Sequence, residues 1–253
     1  MTLCFMTLFQ RWAFLLLVLP LLSGQAAAAP LRIAAASDLA PCMPALTAGF
    51  DGASSVTTGA SGNFYAQIRN GAPFDILMSA DTAYPQALAD AGLADRASMV
   101  VYALGQLVLW SADPRLNTSA GLQLLDDPAV RRIAIASPEL APYGRAAKAA
   151  LQQAGLWDRL QSKLVYGENI AQTMQFVESG SAQAGLVSRA HLQGRPGGWT
   201  LPAGSYPALE QGAIVTLRGK ANPAAARFLH FLRSANGRAL LAGCGFVLPP
   251  GRD

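Results

Sequence analysis

RIAAASDLAPCM, residues 32–43, decides the reading of this chain. Arg32, Ile33 and three alanines read as a strand, Ser37-Asp38 as a turn, and the residues after the turn as a helix. A serine thus stands where a parallel strand hands over to a helix. There the first backbone N–H groups have no internal partner, and the helix dipole adds partial positive charge. Ser and Asp are both good N-caps, and the same turn is also a site for an anion. Which of the two applies depends on whether other turns aim at the same place.

The pattern repeats outward from this stretch. In the first block, Ser55–Thr58 and Phe74–Met78 read as strands, alternating with helices at Leu39–Phe50, Phe64–Asn70 and from Asp81 to about Gly92. Val100–Trp110 reads as one long strand that crosses between lobes. In the second block, strands at Arg132–Ala136, Lys163–Val165 and Ala184–Val187 alternate with helices at Arg145–Gln153 and Ile170–Glu178. Gly212–Leu217 reads as the return strand, before helices at Pro223–Leu232 and Asn236–Leu241. Such alternation predicts an α/β fold, with parallel-type sheets covered by helices on both faces. The two blocks predict two lobes around a cleft: residues 30–111 plus 212–253, and residues 112–211.

Four strand-to-helix turns carry unusual sequence: Ser37-Asp38, Gly59-Ala60-Ser61-Gly62, Ala141-Pro142-Tyr143-Gly144 and Glu168-Asn169-Ile170. Two come from each block, and ligands in such sheets sit outside the carboxyl ends of the strands. Capping explains each turn alone; together they point into one cleft and favour an oxyanion site. The donors are hydroxyls and amides, with Arg145 the one nearby cation. A donor-only site suits a fully ionised dianion, while an inward Asp38 carboxylate would repel it. Asp38 is therefore expected to offer its N–H and turn its side chain away.

Composition bounds the alternatives. Residues 1–29, with Arg11 ahead of a long apolar run and then Ala26–Ala29, read as a secretory signal. No cysteine stands at the junction to carry a lipid anchor. The remainder, of roughly 220 residues, is long enough for two small domains. Net charge is +4, charged residues are 13% of the chain, and the basic residues form no run, so nucleic acid is not an expected partner. Cys4 leaves with the signal. Cys42 and Cys244 remain in an oxidising compartment, where a bridge is the expected state and two free thiols the alternative. No cysteine–histidine cluster suggests a resident metal, and no cofactor is expected. Catalysis has little support. TGASGN is not a nucleophile elbow, and nothing in the spacing favours a Ser61–His191–Asp81 triad, although an exported serine hydrolase using Ser61 or Ser37 stays as the rival from another class.

AAASDL (34–39), GASGNFYAQIRNGAPFDILMSAD (59–81), YALGQLVLWSA (102–112), IASPELAPYGRAA (135–147), GENIAQTM (167–174) and CGFVLP (244–249) together resemble the periplasmic molybdate-binding proteins of ABC importers. The pieces run in that family's order across nearly the whole chain after the signal. The resemblance implies a type II periplasmic binding fold closing on molybdate or tungstate, and a monomer that delivers it to an inner-membrane permease and its ATPase. Sulfate or another oxyanion is the alternative cargo. On matching positions the contacts would be Ser37 and Ser61 through hydroxyl and amide, with amides from Tyr143 and Ile170. Asp38 stands where one branch of the family contacts ligand with a different polar side chain. Many relatives carry a ligand-reaching tyrosine after the strand at 184–187. Here that position is Ser188, not expected to be a ligand, and Tyr143 is read as taking over the role.

Overall fold

The computed structural model describes residues 29–249. The segment read as a signal lies outside them, apart from Ala29. Among the described residues no helix is long and apolar enough to cross a membrane. In chain order the elements are β1 (Leu31–Ala36), a 3₁₀ turn (Ser37–Leu39), α1 (Met43–Gly49), β2 (Ser54–Gly59), α2 (Ser61–Arg69), β3 (Ile76–Ser79), α3 (Ala83–Asp90), β4 (Val100–Gly105) and β5 (Leu107–Trp110). There follow β6 (Ile133–Ala136), α4 (Pro142–Gln153), α5 (Trp157–Leu160), β7 (Leu164–Gly167), α6 (Ile170–Glu178), β8 (Ala184–Ser188), β9 (Trp199–Thr200), β10 (Leu209–Val215), α7 (Pro223–Arg233) and α8 (Ala235–Gly243).

The strands form two five-stranded sheets, ordered β2-β1-β3-β10-β4 and β7-β6-β8-β5-β9. In the first, β1 runs parallel to β2 and β3, and β10 runs antiparallel to β3 and β4. In the second, β6 runs parallel to β7 and β8, and β5 runs antiparallel to β8 and β9. The sheets are therefore mixed rather than all parallel. The reason is the crossover. The parallel strands end at the cleft, whereas β5 and β10 begin there, just after the chain has changed lobes, and must run the other way.

Three expectations of element bounds are corrected. Val100–Trp110 is two strands, not one: β4 belongs to the first sheet and β5 to the second, so the crossing falls at Gln106 rather than after residue 111. On the return, β10 joins the first sheet from Leu209, three residues ahead of 212. The helix expected over Leu39–Phe50 is broken into the 3₁₀ turn and α1. Pro41 and Pro44 account for the break, because each lacks an N–H and Pro44 sits in the first turn of α1, where that loss is harmless.

Period-two burial builds the layers. Ile33, Ile76 and Met78 face a core shared with Met43 and Leu46 of α1, Phe228 and Leu232 of α7, and Leu241 of α8. Ala34, Leu77 and Ile214 face the opposite side, against Phe64, Ile68 and Leu88 of α2 and α3. In the second sheet Leu107, Leu109, Ile133 and Ile135 pack on Ala147 and Leu151 of α4, while Val108, Trp110 and Val187 pack on Met174 and Val177 of α6. A disulfide joins Cys42, just before α1, to Cys244 at the end of α8, with Cα atoms 5.9 Å apart. It spans 202 residues yet staples only the first lobe, because both ends of the described chain fold into that lobe.

Candidate functional site

The carboxyl ends of β1 and β2, the residue after β3, the start of α4 and the loop after β7 meet at one small pocket with a cavity volume of about 10 Å³, far below the ~300–1,000 Å³ typical of drug-sized ligands. Its lining includes Ser37, Asp38 and Ser61 from the first lobe and Tyr143, Asn169 and Ile170 from the second. All five residues singled out from the sequence are brought together. Ser37, Asp38, Ser61, Tyr143 and Ile170 are each at most 4% exposed.

The local folding leaves one amide of each helix free. Ser61 is the first residue of α2 and Ile170 the first of α6, so their N–H groups have no intrahelical acceptor. Pro142 opens α4 without an N–H, which makes that of Tyr143 the first the helix can offer. The next amides along are already used. Gly62 donates across the cleft to the Leu140 carbonyl at 2.9 Å. Ala171 donates to Asn169 Oδ1 at 3.0 Å and lies 3.4 Å from Ser37 Oγ. A side chain at Gly62 would strike the Tyr84 hydroxyl and the Leu140 carbonyl at 2.6 and 2.8 Å, so only glycine permits this approach of the lobes.

The serines are oriented by what they accept. Ser61 Oγ accepts the Ala80 N–H at 3.1 Å, and Ser37 Oγ that of Ala171. With the oxygen engaged, each hydroxyl proton is left to donate elsewhere. No lysine, arginine or histidine lines the pocket among the described residues. Arg145 is held at the rim by Asp81 and donates to the Tyr84 hydroxyl at 3.2 Å, with its guanidinium over the Tyr84 ring. Asn63 reaches Glu168 at 2.6 Å. These contacts join the lobes in a closed state.

Asp38 is the one ionisable carboxyl in the lining. It is fully buried, and neither carboxylate oxygen completes a hydrogen bond. Burial pushes its pKa up to about 7, against the pull of the Tyr143 hydroxyl, the amides of Asp38 and Leu39, and the Gln211 side chain, all of which face it. Burial, and then the Asp38 charge, hold the Tyr143 hydroxyl well above the usual phenol range. The Tyr143 hydroxyl therefore stands among Asp38, Gly105 and Gln211 at the base of the cleft. The sequence points to Asp38 but not to Gln211, a fully buried amide on the crossover strand β10. A glutamine leading straight into the apolar run GAIV is the one signal it offers.

The residues of a triad are not assembled. His191 Nδ1 lies 2.9 Å from Ser188 Oγ, Asp81 is taken by Arg145 and Ser79, and neither His191 nor Asp81 lines the pocket of Ser61. Ser188 is buried beside the half-buried His191 and lies outside that lining. Among the described residues no group of three or more His, Cys, Asp or Glu side chains could hold a metal ion.

Two α/β lobes linked by crossing strands, with a pocket closed between them, are the architecture of type II periplasmic binding proteins. Residues 31–247 match the family of bacterial extracellular solute-binding proteins, and the chain belongs to that family. It is 36% identical over 237 residues to the molybdate-binding protein ModA of Azotobacter vinelandii, covering 90% of this chain and 94% of that one. It is 38% identical over 191 residues to ModA of Rhodobacter capsulatus, covering 75% of each. The solved structure of the Azotobacter vinelandii periplasmic molybdate-binding protein superposes with a TM-score of 0.81 at 32% identity, over 87% of this chain and 99% of that chain.

Proposed function

We propose that this protein captures molybdate, and by the same contacts tungstate, in the periplasm and delivers it to the permease and ATPase of an inner-membrane ABC importer. It acts as a monomer, without a cofactor and without catalysing a reaction. One observation carries the reading: two serine hydroxyls and the first free amides of three helices converge on one closed pocket that holds no cationic side chain. Such a site suits an ion whose every oxygen accepts. Ser37 and Ser61 donate by hydroxyl and amide, and Tyr143 and Ile170 by amide, with Asp38 completing the wall. These groups meet the oxygens of the ion, and the metal is cargo that no side chain coordinates. At about 1.5–3 kcal/mol for each hydrogen bond to a charged group, six such donors offset the desolvation of a dianion. The relatives that bind molybdate supply the cargo, and the signal-like first 29 residues supply the compartment. The lobes are residues 30–105 with 209–249, and residues 107–200.

Calorimetric titration of the ligand-stripped protein tests this. Tight one-to-one binding of molybdate and tungstate, with sulfate and phosphate far weaker, is expected. Sulfate preferred over molybdate would keep the site and change the cargo; no heat with any oxyanion would overturn the reading.

A further inference from the structure

Asp38 is hard to reconcile with a site for dianions unless it is neutral. Its carboxyl is wholly buried at the wall of the pocket with both oxygens unpartnered, a costly state for an ion. Its surroundings come from several elements. Tyr143 approaches from α4 in the second lobe, Gln211 from β10, and Tyr102 from β4, its hydroxyl 3.4 Å from Gln211 Oε1. Tyr206, whose hydroxyl accepts the Leu107 N–H at 3.0 Å, stands behind Tyr143. These are neutral groups. The charged or titratable groups on the packed elements turn elsewhere: Arg189 to Thr200, His191 to Ser188, Arg145 to Asp81, Lys148 over Trp157, and Glu178 to Arg195. The cluster also sits at the crossover itself. A Cβ at Gly105, beside Gln106 where the chain changes lobes, would lie 2.3 Å from the Tyr143 hydroxyl and 2.7 Å from the Gln211 amide nitrogen.

We propose that Asp38 is a specificity-determining residue that takes up one proton as the lobes close, so that the protein binds its oxyanion dianion and a proton together. The inference rests on the oxyanion reading of the pocket. Tyr143 belongs to the second lobe, so opening withdraws it and lets water reach Asp38, whose pKa then returns toward the ordinary carboxylate value near about 4. Closing removes the water and places a dianion beside the carboxyl, and both changes favour the neutral acid. Once neutral, Asp38 does not repel the ligand. The neutral acid is also a much weaker acceptor than the carboxylate, so a protonated anion such as hydrogen phosphate loses the one charged partner for its proton.

The sign follows from linkage. The closed state has the raised pKa and holds more protons than the open state, so affinity falls as pH rises from about 4 to the closed-state pKa, by about tenfold per unit, and is flat above it. Molybdate titrations of the wild-type protein at pH 6, in buffers of different ionisation enthalpy, read the proton directly. An uptake close to one proton is expected, declining with a midpoint at or above pH 7, with Asp38→Asn binding without uptake and without the pH slope. One-to-one binding with buffer-independent heat in the wild-type protein would overturn the proposal, and this result needs no variant to fold. Uptake that persists in Asp38→Asn would overturn it too. Absence of binding heat with molybdate and every other oxyanion at all pH values would instead remove the oxyanion reading, and this inference with it.

Discussion

The two lobes contribute to one pocket by different chemistry. The first lobe adds side chains to its amides: the hydroxyls of Ser37 and Ser61, aimed by N–H groups bonded to their oxygens. The second brings backbone, the opening amides of α4 and α6 at Tyr143 and Ile170. The first lobe is stapled by Cys42–Cys244, and among the described residues the second has no disulfide. The contrast teaches where each half is vulnerable. A side-chain donor is lost by trimming one atom, whereas a backbone donor survives any substitution other than proline that keeps the helix start in place.

The largest expected effect separates the lobes by stability. Closing a loop of 202 residues is worth about 5 kcal/mol in the chain-entropy model. Reduction, or Cys42→Ser with Cys244→Ser, should therefore lower the melting temperature sharply, and hydrogen exchange should place the loss in the first lobe. Equal loss of protection in both lobes would contradict this.

Acid should act on the other half. Burial, and then the charge of Arg195, hold His191 of the second lobe down to about 4. A depressed pKa means the unfolded chain binds the proton first. The contribution of the neutral ring is complete above about pH 6.5 and is lost as pH falls toward 4, a total of about 3 kcal/mol. His191→Gln should flatten that part of the stability–pH curve.

Binding tests the side-chain and backbone division next. Ser61→Ala and Ser37→Ala should each weaken molybdate binding by about 10- to 150-fold, the equivalent of one charged hydrogen bond. Ile170→Val should change little. Ile170→Pro should weaken binding as much as losing a serine, because it deletes the donor and keeps the helix start: proline fits the first helical position, and Asn169 before it is already extended at φ −146° and ψ 176°. Equal affinity of the valine and proline variants would remove Ile170 from the site.

The smallest effect belongs to the rim. Arg145 and Asp81 are 41% and 17% exposed, so Asp81→Asn should weaken binding only about fivefold or less, and less at high salt.

Much of the molecule is legible in the chain. Ile170–Glu178 can be read to the residue because an asparagine cap opens it and the apolar period is clean. The four donor turns are legible for the same reason, since caps and glycines are local signals. The direction of β5 and β10 is not, because a run such as VVYALGQLVLW carries no mark of the residue at which it leaves one sheet for another. The sequence also puts the start of α4 at Arg145, three residues late, because a proline at 142 reads equally well as part of the turn. That shift puts Tyr143 in the first turn of the helix and turns its amide into a donor. The surroundings of Asp38 are beyond the reach of sequence, since Gln211 and Tyr102 come to it from strands distant along the chain.

One oxyanion is expected to sit among these donors. Crystals grown with molybdate, with data collected at the molybdenum edge, test it most directly. A single strong anomalous peak is expected, enclosed by Ser37, Ser61, Tyr143 and Ile170, with the oxygens toward their hydroxyls and amides. A peak elsewhere, or none in this pocket in crystals that bind the ion, would contradict it.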